Sequence, residues 1–119
     1  MLLSVVPAKG GEPEYEYEYN GWATHYGESY NGLTMGCGGV YSSYNETIVA
    51  VPWRSWLGMA YSCGTKLQVC GYAACLDVVV QDSCPGCDWP NMVDLSEVGI
   101  EIVCPGMGSC PIILTVLEE

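Results

Sequence analysis

Asp82 and Asp94 are the two residues of this chain whose surroundings best suit them to acid–base chemistry. Asp82 closes the run from Leu76 to Asp82, whose valines make it the most apolar segment with strand character. By parity Leu76, Val78, Val80 and Asp82 share one face, so that face carries a core and ends in a carboxylate. Asp94 sits in the otherwise apolar stretch Met92-Val-Asp-Leu95. Removing water from around such a carboxyl disfavours its charged form and moves its pKa towards that of a general acid. Either aspartate could equally hold a turn or cap a helix through backbone amides, as Asp commonly does.

Other reactive residue types point to less. His25 is the only histidine, so a Ser-His-Asp or Cys-His pair would have to use it. It lies mid-strand with its neighbour Tyr26 on the opposite face, and a structural or exposed role suits it better. Cys84-Pro-Gly-Cys87 has the spacing of a zinc ligand pair, but a ribbon site wants a second such pair and the chain has none. A thioredoxin-like redox role would need a βαβ context, also missing. No metal and no cofactor is therefore expected. Trp22, Tyr26, Tyr30, Trp53, Trp56 and Trp89 offer flat amphipathic faces. About half of these belong to the core, because four Trp and nine Tyr must do all the large-residue packing in a chain without Phe. Asn45-Glu-Thr47 is an N-glycosylation acceptor sequon in a Ser/Tyr-rich loop.

The elements that must position these residues read as strands. A chain of 119 residues suits one domain, and 50% apolar against 14% charged residues predicts a packed core. From Asn20 onward no segment keeps a period of 3.6 over three turns, whereas short β-branched or aromatic runs recur between Gly, Pro and Asn clusters. Trp22 to Tyr26, Thr47 to Val51, Lys66 to Cys70, Cys75 to Gln81 and Pro111 to Leu117 are the expected strands. Trp53 to Leu57 and Leu95 to Glu101 could each form one or two helical turns, the second capped by Asp94 or Ser96. Residues 1–19 read as a separate N-terminal arm and linker, with the domain proper at 20–119. Within the arm, Glu14 to Tyr19 alternates strictly between glutamate and tyrosine. This is either a solvated arm or a strand that adds to a sheet edge, its own or a neighbour's.

Composition narrows the partners and the compartment. Three basic residues against fourteen acidic ones give a net charge of −11, which leaves no basic surface for nucleic acid or anionic lipid. No apolar run approaches the roughly 20 residues of a membrane span. Eight cysteines in so short a chain predict a disulfide framework made in an oxidising compartment, hence a secreted or cell-envelope protein. The segment from Met1 to Lys9 is too short, and lacks the basic start, to be a whole signal peptide.

Three ordered segments resemble a known family. They are Ala23-Thr-His-Tyr-Gly27, then Met35-Gly-Cys-Gly-Gly39 with Thr47-Ile-Val-Ala-Val51, then Cys63 to Val69 leading into Val78-Val-Val-Gln-Asp-Ser-Cys-Pro-Gly-Cys87 and Val93-Asp-Leu-Ser96. They are similar to the double-psi β-barrel proteins of the expansin, loosenin and rare lipoprotein A groups, over about a hundred residues from Trp22 onward. The resemblance implies an all-β, six-stranded, disulfide-rich double-psi β-barrel with short helical turns and a polysaccharide-binding groove. Departures accompany it. Rare lipoprotein A transglycosylases usually carry Asp-Arg-Gly-Pro where this chain has Asp82-Ser-Cys-Pro85, and a histidine within the segment that here reads Val49 to Arg54. Related family 45 glycoside hydrolases need a second carboxylate after the first strand, where this chain offers only Glu28, out of motif.

The implied function is an exported wall-modifying or polysaccharide-binding domain, expansin-like or lytic transglycosylase-like, with Asp94 and Asp82 as catalytic candidates and Tyr26, Trp89 and Trp53 lining the groove. Its partner would be peptidoglycan or a neutral β-glycan. Hydrolysis of a glycosidic bond ordinarily takes two carboxyl groups, about 5–5.5 Å apart for retention and about 6.5–9.5 Å for inversion. A lytic transglycosylase manages with one, because the sugar's own hydroxyl replaces water. The alternative is a non-catalytic subunit of an extracellular assembly that self-associates through residues 12–19. Among the cysteines, Cys70 with Cys75 and Cys104 with Cys110 can each close a short loop. Cys37, Cys63, Cys84 and Cys87 are then expected to pair across the barrel as 37 with 87 and 63 with 84.

Overall fold

The computed structural model describes residues 2–7, 13–52, 63–84, 87 and 91–118. Alternating segments form strands in it: β1 (Leu2–Pro7), β2 (Pro13–Tyr26), β3 (Ile48–Val51), β4 (Lys66–Cys70), β5 (Cys75–Ser83), β6 (Met92–Ser96) and β7 (Cys110–Glu118), with one helix, α1 (Glu97–Val103). Six of them run β2-β6-β3-β5-β4-β7, and β2 pairs again with β7, so the sheet closes on itself. Closure removes most of the exposed edge that a small sheet would otherwise leave. Two pairs, β2 with β6 and β3 with β5, are parallel, and the other pairings are antiparallel.

The barrel interior is filled by alternate residues. Ala23, Val49, Leu67, Val69, Val78, Val80, Val93, Leu95, Ile112 and Leu114 form one buried cluster with Ile100 and Val103 of α1. Burying each such aliphatic side chain is worth about 1.5–3 kcal/mol, which makes this cluster the main support of the fold. Ser96 caps α1 by accepting a hydrogen bond from Gly99 N at 3.1 Å. The helix therefore begins at Glu97 rather than Leu95, and Asp94 stays in β6. The apolar stretch around Asp94 is itself a strand, paired on both sides by β2 and β3.

The expected arm is not a separate piece of backbone. Strand β2 runs unbroken past residue 19, and its first half pairs with β1 of the same chain from Leu2↔Glu18 to Pro7↔Pro13. Tyr19 is only 3% exposed and belongs to the barrel core, so a boundary after residue 19 falls inside a load-carrying strand.

All eight cysteines are paired, as Cys37–Cys63, Cys70–Cys75, Cys84–Cys87 and Cys104–Cys110. The two short loops close as the sequence suggested. The pairing of Cys37 with Cys87 and Cys63 with Cys84 is overturned. Cys37 N donates to Gln81 O, which brings the loop carrying Cys37 against the end of β5 and within reach of Cys63. Cys84 and Cys87 are left facing each other across a turn closed by Cys87 N on Cys84 O.

Outside the barrel wall, the 27–47 connection packs over a second cluster of Tyr26, Met35, Tyr41, Ile48 and Ala50. The rings of Tyr26 and Tyr41 stack with centroids 4.0 Å apart, and the Tyr41 hydroxyl donates to the Tyr26 carbonyl. Asn31 and Ser43 tie the connection together, Asn31 Nδ2 donating to Ser43 Oγ at 3.1 Å and Ser43 N donating to Asn31 Oδ1. A single 3-10 turn at Glu28–Tyr30 starts this segment.

Candidate functional site

Strand register assembles the site. Thr24 of β2 lies opposite Asp94 of β6, Asp94 lies opposite Ala50 of β3, and Ala50 lies opposite Asp82 of β5. Four strands thus contribute one residue each to a single row on the outer face of the barrel. Neighbouring strands are about 4.8 Å apart, so the Asp82 and Asp94 backbones are about 10 Å apart with the methyl group of Ala50 between them. The row floors a groove of about 340 Å³ whose walls include His25, Tyr26, Tyr30, Ser83, Cys84, Cys87 and Met92.

Asp82 reaches this face through an irregularity. Val49 lies opposite Val80, yet the next residue, Ala50, lies opposite Asp82, and Gln81 is the extra residue of a β-bulge. The expectation that Asp82 shares the core face of Val78 and Val80 is overturned: those valines are buried inside, and Asp82 lines the groove. Its Oδ1 accepts from Gly36 N at 2.8 Å and from Ser83 N at 2.9 Å. Asp82 is therefore a clamp between β5 and the 33–40 loop as well as a wall of the groove. A side chain at position 36 would place its Cβ 3.2 Å from that same oxygen, so a glycine there lets the loop come close enough to be held.

Asp94 lines the same groove from β6. Burial pushes its pKa above the usual carboxylate range. A hydrogen bond from Thr24 Oγ1 to Oδ1 at 2.9 Å and the nearby His25 work against that shift, and the negative charge of Asp82 adds to it. The Thr24 hydroxyl also approaches Val93 O, at 3.3 Å. Nothing in the segment Ala23 to Gly27 marks Thr24 for this role except the two-residue alternation that puts Thr24 and Tyr26 on one face.

Tyr26 lines the groove but is mostly buried, stacked on Tyr41 and in edge contact with Tyr30, whose centroid is 5.8 Å away. Burial raises the Tyr26 phenol far above its ordinary range, with the charge of Asp82, Tyr41 and Asp94 adding to the effect. Tyr41 is pushed up to about 12, chiefly by burial, against an opposing hydrogen bond from the Glu97 backbone. The half-exposed ring at the groove is Tyr30. Trp53, Trp56 and Trp89, together with the expected helical turn at Trp53 to Leu57, lie outside the described residues.

His25 Nδ1 sits 2.7 Å from Gly108 O. A carbonyl can only accept, so Nδ1 carries the proton, and the ring anchors the 105–109 turn beside the groove. Glu28 is not in the groove; it lines a separate hollow of about 250 Å³ with Glu97 and Glu101. Among the described residues no group of three or more His, Cys, Asp or Glu side chains is placed to hold a metal ion. None of the described helices is long and apolar enough to cross a membrane.

A barrel closed in this way, with two parallel pairs among its six strands, is a double-psi β-barrel, and it resembles the expansins. The apo expansin of Clavibacter michiganensis superposes with a TM-score of 0.67 at 28% identity, over 87% of this chain and 52% of that one. An Asp-to-Asn variant of the same expansin in complex with cellohexaose gives 0.66 at 27% identity, over 86% and 51%. The chain thus spans about half the length of the expansin it matches. The Streptomyces papain inhibitor superposes with a TM-score of 0.66 at 25% identity, over 84% of this chain and 94% of the inhibitor. No protein-family model and no curated protein matches the chain.

Proposed function

We propose that this is an exported wall-modifying domain whose groove binds a β-linked glycan, with Asp94 as the general acid where a bond is cut. The observation that carries the reading is the environment of Asp94: a carboxyl held by Thr24 in a groove, with its protonated form favoured by burial and an exposed tyrosine ring at the rim. Aromatic faces suit sugar rings, and a groove of this size, at the low end of the range for small-ligand sites, has room for part of a glycan chain. The expansin complex with cellohexaose supports a glycan as the ligand class.

Of the two carboxyls, Asp82 has one oxygen committed to two backbone N–H groups, which favours its role as a clamp over that of a base. The one-acid route is then the better fit. Asp94 gives its proton to the glycosidic oxygen, the bond from that oxygen to the anomeric carbon breaks, and a hydroxyl of the same sugar closes on that carbon. The proton of this hydroxyl returns to Asp94. The test is incubation with peptidoglycan and with cellulose, comparing wild type and Asp94→Asn by mass spectrometry of released sugars. Anhydro-sugar ends from the wild type alone are expected. Release that survives Asp94→Asn would overturn the assignment.

A second reading rests on chain size, since the match to the papain inhibitor spans nearly all of that protein. A rigid, disulfide-stapled barrel could instead present its loops to a protein partner. A papain activity assay separates the readings, because inhibition that persists in Asp94→Asn would favour the protein-binding role. The structural-subunit role remains a proposal of its own, resting on the β1–β2 ribbon.

A further inference from the structure

The electrostatics of the groove narrow the glycan further. Among the described residues that line it, Asp82 and Asp94 are the acidic ones and no Lys or Arg is present. They stand in one row with only Ala50 between them. The rest of the molecule reinforces the sign, since the chain carries three basic residues against fourteen acidic ones. A second like charge brought into such a groove is repelled, and the low-dielectric walls strengthen the effect. A cation is attracted by the charge of Asp82 and, once seated, draws Asp94 into its ionised form against the burial that favours its proton; at the rim it meets the half-exposed ring of Tyr30, whose π face favours an ammonium group.

We infer that the groove selects amino-sugar polymers bearing free ammonium groups, such as de-N-acetylated β-linked glucosamine chains, over neutral glycans and against those bearing carboxylates. This rests on the groove being the glycan site. The ammonium would lie over Ala50, between Asp82 and Asp94, and the sugar face against Tyr30. N-acetylation would replace the charge with a bulkier neutral amide between the two aspartates. A carboxylate-bearing sugar would face both aspartates directly.

The test is calorimetric titration of the intact protein, in mildly acidic low-salt buffer, with a glucosamine hexamer, its fully N-acetylated counterpart and cellohexaose. The glucosamine hexamer is expected to bind at least about tenfold more tightly than the other two, with an affinity that falls as salt is added. Two variants matched in charge separate recognition in the groove from attraction to an acidic surface. Asp82→Asn/Asp94→Asn should lose the preference, and Glu97→Gln/Glu101→Gln, in the separate hollow, should keep it. Asparagine retains an acceptor oxygen for Gly36 and Ser83, and Asp94→Asn alone is the milder check should the double variant misfold. Equal or tighter binding of the acetylated hexamer or cellohexaose overturns the inference while leaving the groove a glycan site, as does equal loss in both double variants. If none of the three oligosaccharides binds, the glycan reading itself falls.

Discussion

Asp82 and Asp94 face the same groove from strands that do not pair, with Ala50 on the strand between them. Ala50 is 2% exposed, and its methyl group is what keeps the floor between the two carboxyls open. Ala50→Leu should therefore fill the groove, weakening oligosaccharide binding by about tenfold or more. Overpacking should cost the barrel about 1–3 kcal/mol. Calorimetric titration and denaturant unfolding read the two effects separately; unchanged binding would mean that ligands do not reach this row.

Asp94 gives a stability signature with a definite sign. Its folded pKa is raised, so the native state holds the proton more tightly than the unfolded chain does. Its contribution is then fully present below the unfolded carboxyl pKa and is lost as pH rises through the folded value. Asp94→Asn, which stays neutral, should have a higher Tm relative to wild type at neutral pH than at acid pH. Paired melting curves across that range check this, and a gain that grew on acidification would contradict it.

The stacked tyrosines should titrate late. The folded phenol pKa of Tyr41 lies at about 12, above the unfolded value, and Tyr26 is shifted the same way. Their contribution to stability is present below the unfolded phenol pKa and is lost as pH climbs from there towards the folded value. Ultraviolet difference absorbance should show a late phenol phase that coincides with unfolding. In Tyr41→Phe that phase should shrink, and loss of the bond to the Tyr26 carbonyl should cost about 1 kcal/mol.

The disulfides differ in what they constrain. On the chain-entropy account, the Cys37–Cys63 link, separated by 26 residues, is worth about 3.5 kcal/mol, and Cys84–Cys87, separated by 3, about 1.6 kcal/mol. Denaturant unfolding of the two double Cys→Ser variants should rank them in that order. Non-reducing peptide mapping should recover Cys84 and Cys87 joined to each other; a Cys37–Cys87 peptide would contradict the pairing.

Truncation tests the role of the first strands. Deleting residues 1–12 removes β1 and leaves Tyr19 in the core, so the barrel should remain folded. Deleting 1–19 takes away that buried ring and the pairing of Glu18 and Tyr19 with β7, and should cost about 3–5 kcal/mol. If the β1–β2 ribbon joins copies together, the shorter deletion should also lower self-association in sedimentation. Equal stability of the two truncated chains would show that Tyr19 is dispensable.

Much of the barrel was legible because its strands alternate cleanly. Leu67 and Val69, Val78 and Val80, and Ile112 and Leu114 announce an inner face two residues at a time, and the structure buries all six. Asp94 stood out because it is a carboxylate among apolar neighbours. Strand β6 itself did not stand out, since five residues flanking a helix cap give too short a run to show a period. The disulfide pairing was not legible because it depends on how the 33–40 loop meets the end of β5, and Gly36 and Cys37 make that contact across more than forty residues of chain. Nothing in Val-Val-Val-Gln-Asp marks where the register slips, so parity put Asp82 on the wrong face.

That slip behaves like a frameshift in a strand read in twos. Upstream of Gln81 the even-numbered positions face the barrel interior, at Val78 and Val80; downstream the next even-numbered position, Asp82, faces the groove. One continuous strand is thereby divided into a stretch whose side chains fill the barrel and an end whose side chains line the groove. A scan of tolerated substitutions along β5 would carry this division as a change of phase: polar residues excluded at 78 and 80 for the sake of the core, and a carboxylate or amide kept at 82 for the clamp on Gly36 and Ser83. Selection can then act on the two stretches separately, although no break in the backbone parts them.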